Sequence, residues 1–183
     1  GVAFLQKHQT AQARGSFTEA VKLNPRLGEA RTALAQIHLA EGSADLAIEQ
    51  AQAAIQLNPR NVQAAIIAGD AYLGKGDTAK SKQVFEAIAK VLPKEPIAPY
   101  RLGLVARAEK NDAKALAYFE EALTRRPGAI EPIAQIAAIK NVQGKAQEAR
   151  ERVIRQLEAA PKSPLLHNLL GQLWLQAKDA GQA

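Results

Sequence analysis

A chain of 183 residues suits one domain or two, and 47% apolar residues are enough for a substantial core. Aromatic residues are only 4% and charged residues 23%, and no apolar run approaches the roughly 20 residues of a membrane span, so alanine and leucine must fill the interior and no span is expected. The absence of cysteine excludes disulfides, zinc–thiolate sites and thiol nucleophiles, and a net charge of +6 is moderate: it either favours acidic partners or keeps the surface solvated.

Along the chain, "LNPR" at 23–26 returns at 57–60, thirty-four residues on. The same step links Pro25, Pro59, Pro93, Pro127 and Pro161. A fixed period of this size marks a stacked-repeat architecture. With each proline as the thirty-second residue of a thirty-four-residue unit, residues 1–27 are a partial repeat. Four whole repeats follow, 28–61, 62–95, 96–129 and 130–163, and 164–183 opens another.

Each unit is expected to hold two helices. In 28–61, "EARTALAQIHLA" has the three- and four-residue apolar spacing of a half-buried helix, and "EGS" breaks it. In 62–95 the break is "GKGD", and "AKSKQVFEAIAKVL" is the second helix, with Asp77 or Thr78 as its cap. In 96–129, "APYRLGLVARA" is followed by "KND", with Asp112 as the expected cap. In 130–163 the break is "QGK". Beyond it Glu148 precedes Arg152 and Glu151 precedes Arg155 by four, the pattern of paired charges on a wet helix face. The last stretch, "PLLHNLLGQLWLQ", has leucines on two faces. One should pack on the preceding unit, and the other expects a second helix. Pro96, Pro99, Pro132 and Pro164 all fall within first turns, where proline is tolerated.

The columns of the repeat are consistent. Column eight is small throughout: Gly1, Ala35, Gly69, Gly103, Ala137 and Gly171. Column twenty is small too: Ala13, Ala47, Ser81, Ala115, Ala149 and Ala183. Two small columns imply two places where backbones approach closely in a densely packed interior. Column twenty-four is bulkier, with Phe17, Ala51, Phe85, Phe119 and Val153. Column eleven is mixed, with Phe4, His38, Tyr72, Ala106, Lys140 and Trp174.

This pattern resembles the tetratricopeptide repeat (TPR), over the whole chain. Unit 62–95 carries Gly69, Tyr72, Phe85 and Pro93, and unit 96–129 carries Leu102, Gly103, Ala115, Phe119, Ala122 and Pro127. The resemblance implies an all-α fold, a right-handed α-solenoid of antiparallel helix hairpins with a concave groove. Two departures stand out: Lys140 and Gln156 replace apolar residues in unit 130–163, which should pack less tightly or use them otherwise.

No enzyme is expected and no cofactor. His8, His38 and His167 are far apart, and His38, in column eleven, reads as a core-lining side chain. No catalytic pair or phosphate loop is present. The resemblance implies instead a protein or peptide ligand, bound by the first helices. The groove positions it implies are Glu29, Thr32, Gln36 and Leu39 in 28–61, and Gln63, Ile66, Ile67, Asp70 and Leu73 in 62–95. The central surface is expected at Ile66, Asp70, Leu73, Tyr100, Arg101, Leu104 and Arg107, because tyrosine and arginine are over-represented at binding hot spots. Ala134 and Ala138 beside them leave room for a partner's side chain. The bland alternative is that Tyr100 and Leu104 only pack between neighbouring helices. The lysine and asparagine clamp by which some relatives hold a terminal carboxylate is missing.

Two other functions stay open. One is an RNA-binding helical-repeat module, weakened by the thirty-four-residue period and by basic residues scattered over both faces. The other is a self-association or spacer segment of a larger assembly, in which the open face at 164–183 takes further repeats or a second copy. Alanine-rich arrays of this kind resemble bacterial ones, some of which serve polysaccharide or protein export. The compartment, cytoplasm or periplasm, is not fixed by the sequence.

Overall fold

The computed structural model describes residues 2–180, and the side chains of 9–176. Gly1 and Ala183 lie outside the described residues, as do the side chains of Phe4 and His8. Ten helices and no strand occur among the described residues. They are α1 Val2–Leu23, α2 Gly28–Ala40, α3 Ala44–Leu57, α4 Val62–Gly74, α5 Thr78–Val91, α6 Ile97–Ala108, α7 Asp112–Arg125, α8 Ile130–Val142, α9 Ala146–Ala159 and α10 Pro164–Ala180. They form two compact units, Gly1–Val91 and Leu92–Ala183. In the first, α1 packs on α2, and α2 through α5 pack in sequence; in the second, α6 pairs with α7, α8 with α9, and α9 with α10.

Each hairpin turns on one column. Gly42, Gly76, Lys110 and Gly144 are all the fifteenth residue of their units, and all have positive φ, between 59° and 80°. This left-handed residue closes the first helix with paired backbone bonds. Gly42 N–H donates to Leu39 O at 3.1 Å and Ser43 N–H to His38 O at 2.8 Å. The other three turns repeat the pair, through Asp77 to Tyr72, Asn111 to Ala106 and Lys145 to Lys140. Such an end satisfies carbonyls that a helix terminus leaves orphaned. The register prolines do the converse work between units. Each is the second residue of a turn closed by a bond to the carbonyl before it: Leu27 to Asn24 (3.1 Å), Asn61 to Asn58 (2.9 Å), Glu95 to Leu92 (3.2 Å), Ala129 to Arg126 (3.1 Å) and Ser163 to Ala160 (3.1 Å). In the two "LNPR" copies the asparagine side chain adds a bond from Arg26 N–H or Arg60 N–H, each 3.0 Å.

The small columns are where helices touch. Ala47, Ser81, Ala115 and Ala149 are all fully buried. Ser81 is tolerated there because its hydroxyl donates to Gly69 O at 2.8 Å. Gly69 and Gly103 face phenylalanine: a Cβ on either would fall within 3.0 Å of the ring of Phe85 or Phe119. Both rings are fully buried, and each such burial contributes about 1.5–3 kcal/mol.

Several expectations need correction. α1 runs unbroken for 22 residues, where the other units break into two helices. Its fifteenth column, His8, stays helical, whereas the four closed hairpins have a left-handed residue there, glycine in three and lysine in one. Asp77 does cap α5, accepting from Lys80 N–H at 3.1 Å. Asp112 does not cap α7: it is the first helical residue, and Asn111 accepts from Lys114 N–H at 3.1 Å. Arg152 does not reach its own-helix Glu148. It forms two bonds, 2.9 and 3.0 Å, with Glu120 of α7, so its long side chain reaches from α9 to the preceding second helix. Glu148 pairs with Lys140 at 2.7 Å, and Glu151 accepts from Gln147 at 2.9 Å.

The two departures of unit 130–163 find polar partners. Lys140 sits at the hairpin edge with its ammonium on Glu148, which holds that carboxyl below the usual range. Gln156 is buried, and its amide donates to Pro127 O while accepting from Arg152 at 3.3 Å. A buried amide between a carbonyl and a guanidinium does not leave its polar atoms unsatisfied.

Candidate functional site

Tyr100 and Arg101 stand on the first turn of α6. Ala98 and Pro99 turn inward and are buried, which leaves the next two side chains at the margin of the core. The Tyr100 ring leans on Phe119, centroids 5.9 Å apart and planes tilted by 46°. The Arg101 guanidinium lies 5.3 Å from the centre of the Tyr100 ring, within cation–π reach. Phe119 thus carries Tyr100, and Tyr100 carries Arg101.

A cleft of about 460 Å³ opens beside this stack. Tyr100 and Arg101 line it with Ile97 and Pro96 from the start of α6, Glu131 and Pro132 from the start of α8, and Glu95, Arg126 and Ala129 from the preceding turns. Its volume falls in the range of ligand-binding clefts. Apolar surface comes from Ile97, Ala129 and the two prolines, and the rim has two arginines and two glutamates. The walls are held from behind: Arg125 donates to Glu95 O at 2.9 Å and pairs with Glu121, fastening the turn before α6 to the end of α7.

The remaining expected residues are divided between the two units. Leu104 is half-buried and packs against the core of the second unit. Arg107 is exposed and donates to Gln135 of α8, tying two first helices together. Ile66, Asp70 and Leu73 are half-buried positions of α4 in the first unit. That unit has its own cleft of about 400 Å³, lined by Glu29, Thr32, Ala33, Gln36, Asn61, Gln63 and Ile67. Five of these, Glu29, Thr32, Gln36, Gln63 and Ile67, are groove positions that the family resemblance implies. Ala138 is exposed and Ala134 half-buried.

The clefts owe part of their walls to residues the sequence reading missed: Glu95, Pro96, Arg126, Ala129 and Pro132 around Tyr100, and Asn61 in the first unit. These belong to inter-unit turns or the residues just after them. The available signal was the turn itself, since the register prolines place the flanking columns beside each first-helix start.

Outside the clefts, His38 is 15% exposed, with Nδ1 buried and 3.8 Å from Glu41. No group of three metal-ligating side chains occurs among the described residues. Among them, too, no helix is long and apolar enough to cross a membrane.

Family models described as tetratricopeptide repeat match residues 1–62 and 68–130, and again 106–173. Among curated proteins, the Photosystem I assembly protein Ycf3 of Synechococcus elongatus is 32% identical over 111 residues, 52% of this chain. Its counterpart from a Synechococcus sp. matches equally. The aligned region spans 62% of the length of these relatives. Among solved structures, the TPR protein TTC0263 of Thermus thermophilus superposes with a TM-score of 0.73 at 25% identity, covering 96% of this chain and 95% of that one. MamA of Desulfovibrio magneticus gives 0.72 at 17% identity, over 87% and 90%, a likeness of fold alone. The chain belongs to the tetratricopeptide repeat family, built as solenoid hairpins from helix to helix.

Proposed function

We propose that this chain is a non-catalytic protein-interaction scaffold, and that its second unit takes a peptide or helix of a partner in the cleft at Tyr100 and Arg101. The observation that carries the reading is the stack Phe119–Tyr100–Arg101 at the cleft wall. It sets an aromatic face and a cation in fixed positions beside apolar surface. A side chain held before binding loses less freedom when a ligand arrives. The mixed rim suits a segment with an apolar anchor flanked by charges of both signs. Arg107, along the same helix, extends the surface, and Leu104 supports it from beneath. Ile66, Asp70 and Leu73 belong to the first unit, and the proposal is confined to the second.

Ycf3 is named an assembly protein, which agrees with a scaffold role. Nothing in the cleft or in the relatives bears on export or polysaccharide assembly, and neither is part of the reading.

The test is capture of partners from the source lysate, with nuclease-treated and untreated halves. A double variant, Tyr100→Ala with Arg101→Glu, runs alongside, with its helicity checked by circular dichroism. A protein retained after nuclease and lost with a folded variant supports the cleft. Unaltered capture by the variant sinks it. A signal that vanishes with nuclease brings the RNA reading forward.

A further inference from the structure

The "LNPR" turn, which the cleft at Tyr100 does not use, sets a leucine and an arginine together twice in the first unit. Leu23 and Leu57 stand in column thirty, Arg26 and Arg60 in column thirty-three. The turn is stiff. Arg60 N–H donates to the Asn58 side chain and Asn61 N–H to Asn58 O, and the first copy repeats both bonds at Asn24. Arg31 fastens that first copy from behind, donating to Pro25 O at 3.0 Å. The turn therefore holds its leucine and arginine in a fixed relation.

Short turns join antiparallel helices, so the turns before α2 and α4 and the last turns of α3 and α5 meet at one end of this unit. That end is apolar and basic at once. Leu57 and Val91, both within whole repeats, are 40% and 66% exposed. Arg26, Arg60 and Lys90 are exposed and form no ion pair among the described residues. The carboxylates nearby are Glu19, which pairs with Lys22 at 3.2 Å, and Glu29. At the opposite end charge is matched: Lys75 pairs with Asp45, Lys80 with Asp77 at 3.2 Å and Arg14 with Glu41 at 2.8 Å. In the second unit column thirty is Arg125 and Ala159, and Arg125 is held by Glu95 O and Glu121. The combination of exposed aliphatic chains with unpaired cations thus belongs to the first unit, and exposed apolar patches rimmed by polar groups mark contact surfaces.

We infer that this end of the first unit docks on the surface of an anionic bilayer. Arg26, Arg60 and Lys90 pair with lipid phosphates, and Leu57 and Val91 enter the apolar layer beneath them. A bilayer offers an anionic plane with hydrocarbon below it, which matches cations and aliphatic chains presented together. A nucleic acid would satisfy the arginines and leave the aliphatic chains in water. It would also find no stacking platform there, since Tyr72 lies at the other end of the unit, beside Lys80. None of the five residues lines the cleft at Tyr100 or the cleft of the first unit, so the inference is independent of both.

Cosedimentation with vesicles tests this, using phosphatidylcholine alone and phosphatidylcholine with an equal part of phosphatidylglycerol. Binding is expected to the anionic vesicles and not to the neutral ones, and it should weaken as salt is raised. Arg26→Glu with Arg60→Glu should lower it by about tenfold or more. Leu57→Gln with Val91→Gln should lower it several-fold. Circular dichroism checks that each variant keeps its helicity. The chain has no cysteine, so a polarity-sensitive dye on a single introduced cysteine reports depth without disturbing the charges. On anionic vesicles its emission should shift to the blue at Val91→Cys and stay unchanged at Leu46→Cys, at the opposite end of the unit. No binding to anionic vesicles, or equal binding to both compositions, would overturn the inference. So would a shift at Leu46→Cys as large as that at Val91→Cys, or an arginine variant that binds like wild type. Binding that the arginine pair abolishes and the aliphatic pair leaves at the wild-type level would overturn it too. The occupant would then be a soluble polyanion, a nucleic acid or an acidic protein segment.

Discussion

The hairpins α2–α3 and α6–α7 close on the same turn and fill the same gap in opposite ways. In the first, columns eight and twenty-four are Ala35 and Ala51, both fully buried. In the second they are Gly103 and Phe119, and the ring occupies the place of a Cβ on residue 103. A third division, Ala137 with Val153, serves α8–α9. The repeat therefore constrains the volume shared across a helix pair more than the residue in either column. Alanine at column eight is benign opposite alanine or valine and excluded opposite phenylalanine. Packed interiors respond to one methyl group, which is why the two columns must change together.

The comparison breaks most visibly at Phe119. Phe119→Ala is expected to cost about 3–5 kcal/mol in urea unfolding, as for a large aromatic removed from a core. Gly103→Ala forces a methyl into a buried ring and should cost about 1–3 kcal/mol, despite alanine's better helix propensity. Made together, the two changes reproduce the Ala35/Ala51 pair. The double variant should then be more stable than the sum of the single effects predicts, by at least about 1 kcal/mol. Strict additivity would show that the two columns do not share one volume. Tyr100 leans on the same ring, so Phe119→Ala should also weaken whatever binds in the cleft, more than Phe85→Ala does.

What the sequence made legible follows from the same logic. Period, hairpin count, breaks and the two small columns were readable because each is a local rule repeated in register. The unbroken run of α1 was not, since the turn column takes glycine in three hairpins and lysine in the fourth, so the residue there does not by itself say where a helix stops. Arg152 was misassigned because same-helix spacing is visible in a sequence and the neighbouring second helix is not. At Asn111 and Asp112 two good capping residues adjoin, and the turn geometry after Lys110 decides between them. The cleft was half legible. Tyr100 and Arg101 follow from the groove columns, whereas Arg126 and Ala129 come from a turn that reaches across to them.

A second contrast lies in column twenty-seven, where α7 has Ala122 and α9 has Gln156. Gln156 links the Pro127 carbonyl to the Arg152 guanidinium, which in turn holds Glu120. Gln156→Ala removes both bonds and opens a space in the core. It should cost about 1–3 kcal/mol, the range for leaving a buried polar partner unmet. Glu120→Ala, which frees only the exposed end of the chain of bonds, should cost much less. If the two cost the same, the exposed pair and not the buried amide holds α9.

The turns give a smaller contrast. Lys110 adopts φ 59° where the other three hairpins use glycine. A side chain in the left-handed region costs about 1 kcal/mol, so Lys110→Gly should stabilise the second unit by roughly that amount. Gly76→Ala should destabilise the first unit comparably, since its Cβ meets no neighbour and the strain is purely conformational. Thermal melts of the two variants should move in opposite directions. Movement in the same direction would locate the effect elsewhere than in the shared turn.

The smallest contrast is between caps. Asp77 precedes α5 and Asn111 precedes α7, and each side chain accepts a backbone N–H three residues on at 3.1 Å. Only the first can titrate. The Lys80 backbone N–H, its side chain and its nearby charge hold the Asp77 carboxyl below its usual value near 3.8, working against some desolvation. A carboxyl whose pKa is lowered by folding stabilises the folded state at pH values above its unfolded pKa. That contribution fades as pH falls through the folded value, below about pH 4. Asparagine at the same position retains the cap without the charge. Asp77→Asn should therefore melt slightly below wild type at neutral pH, and the gap should close as the pH drops beneath 4. The Asn111→Asp variant of α7 should show the reverse, gaining stability at neutral pH and losing the gain in acid. A gap at Asp77 that is constant with pH would mean that the cap acts through its hydrogen bond alone and that the Lys80 charge contributes nothing.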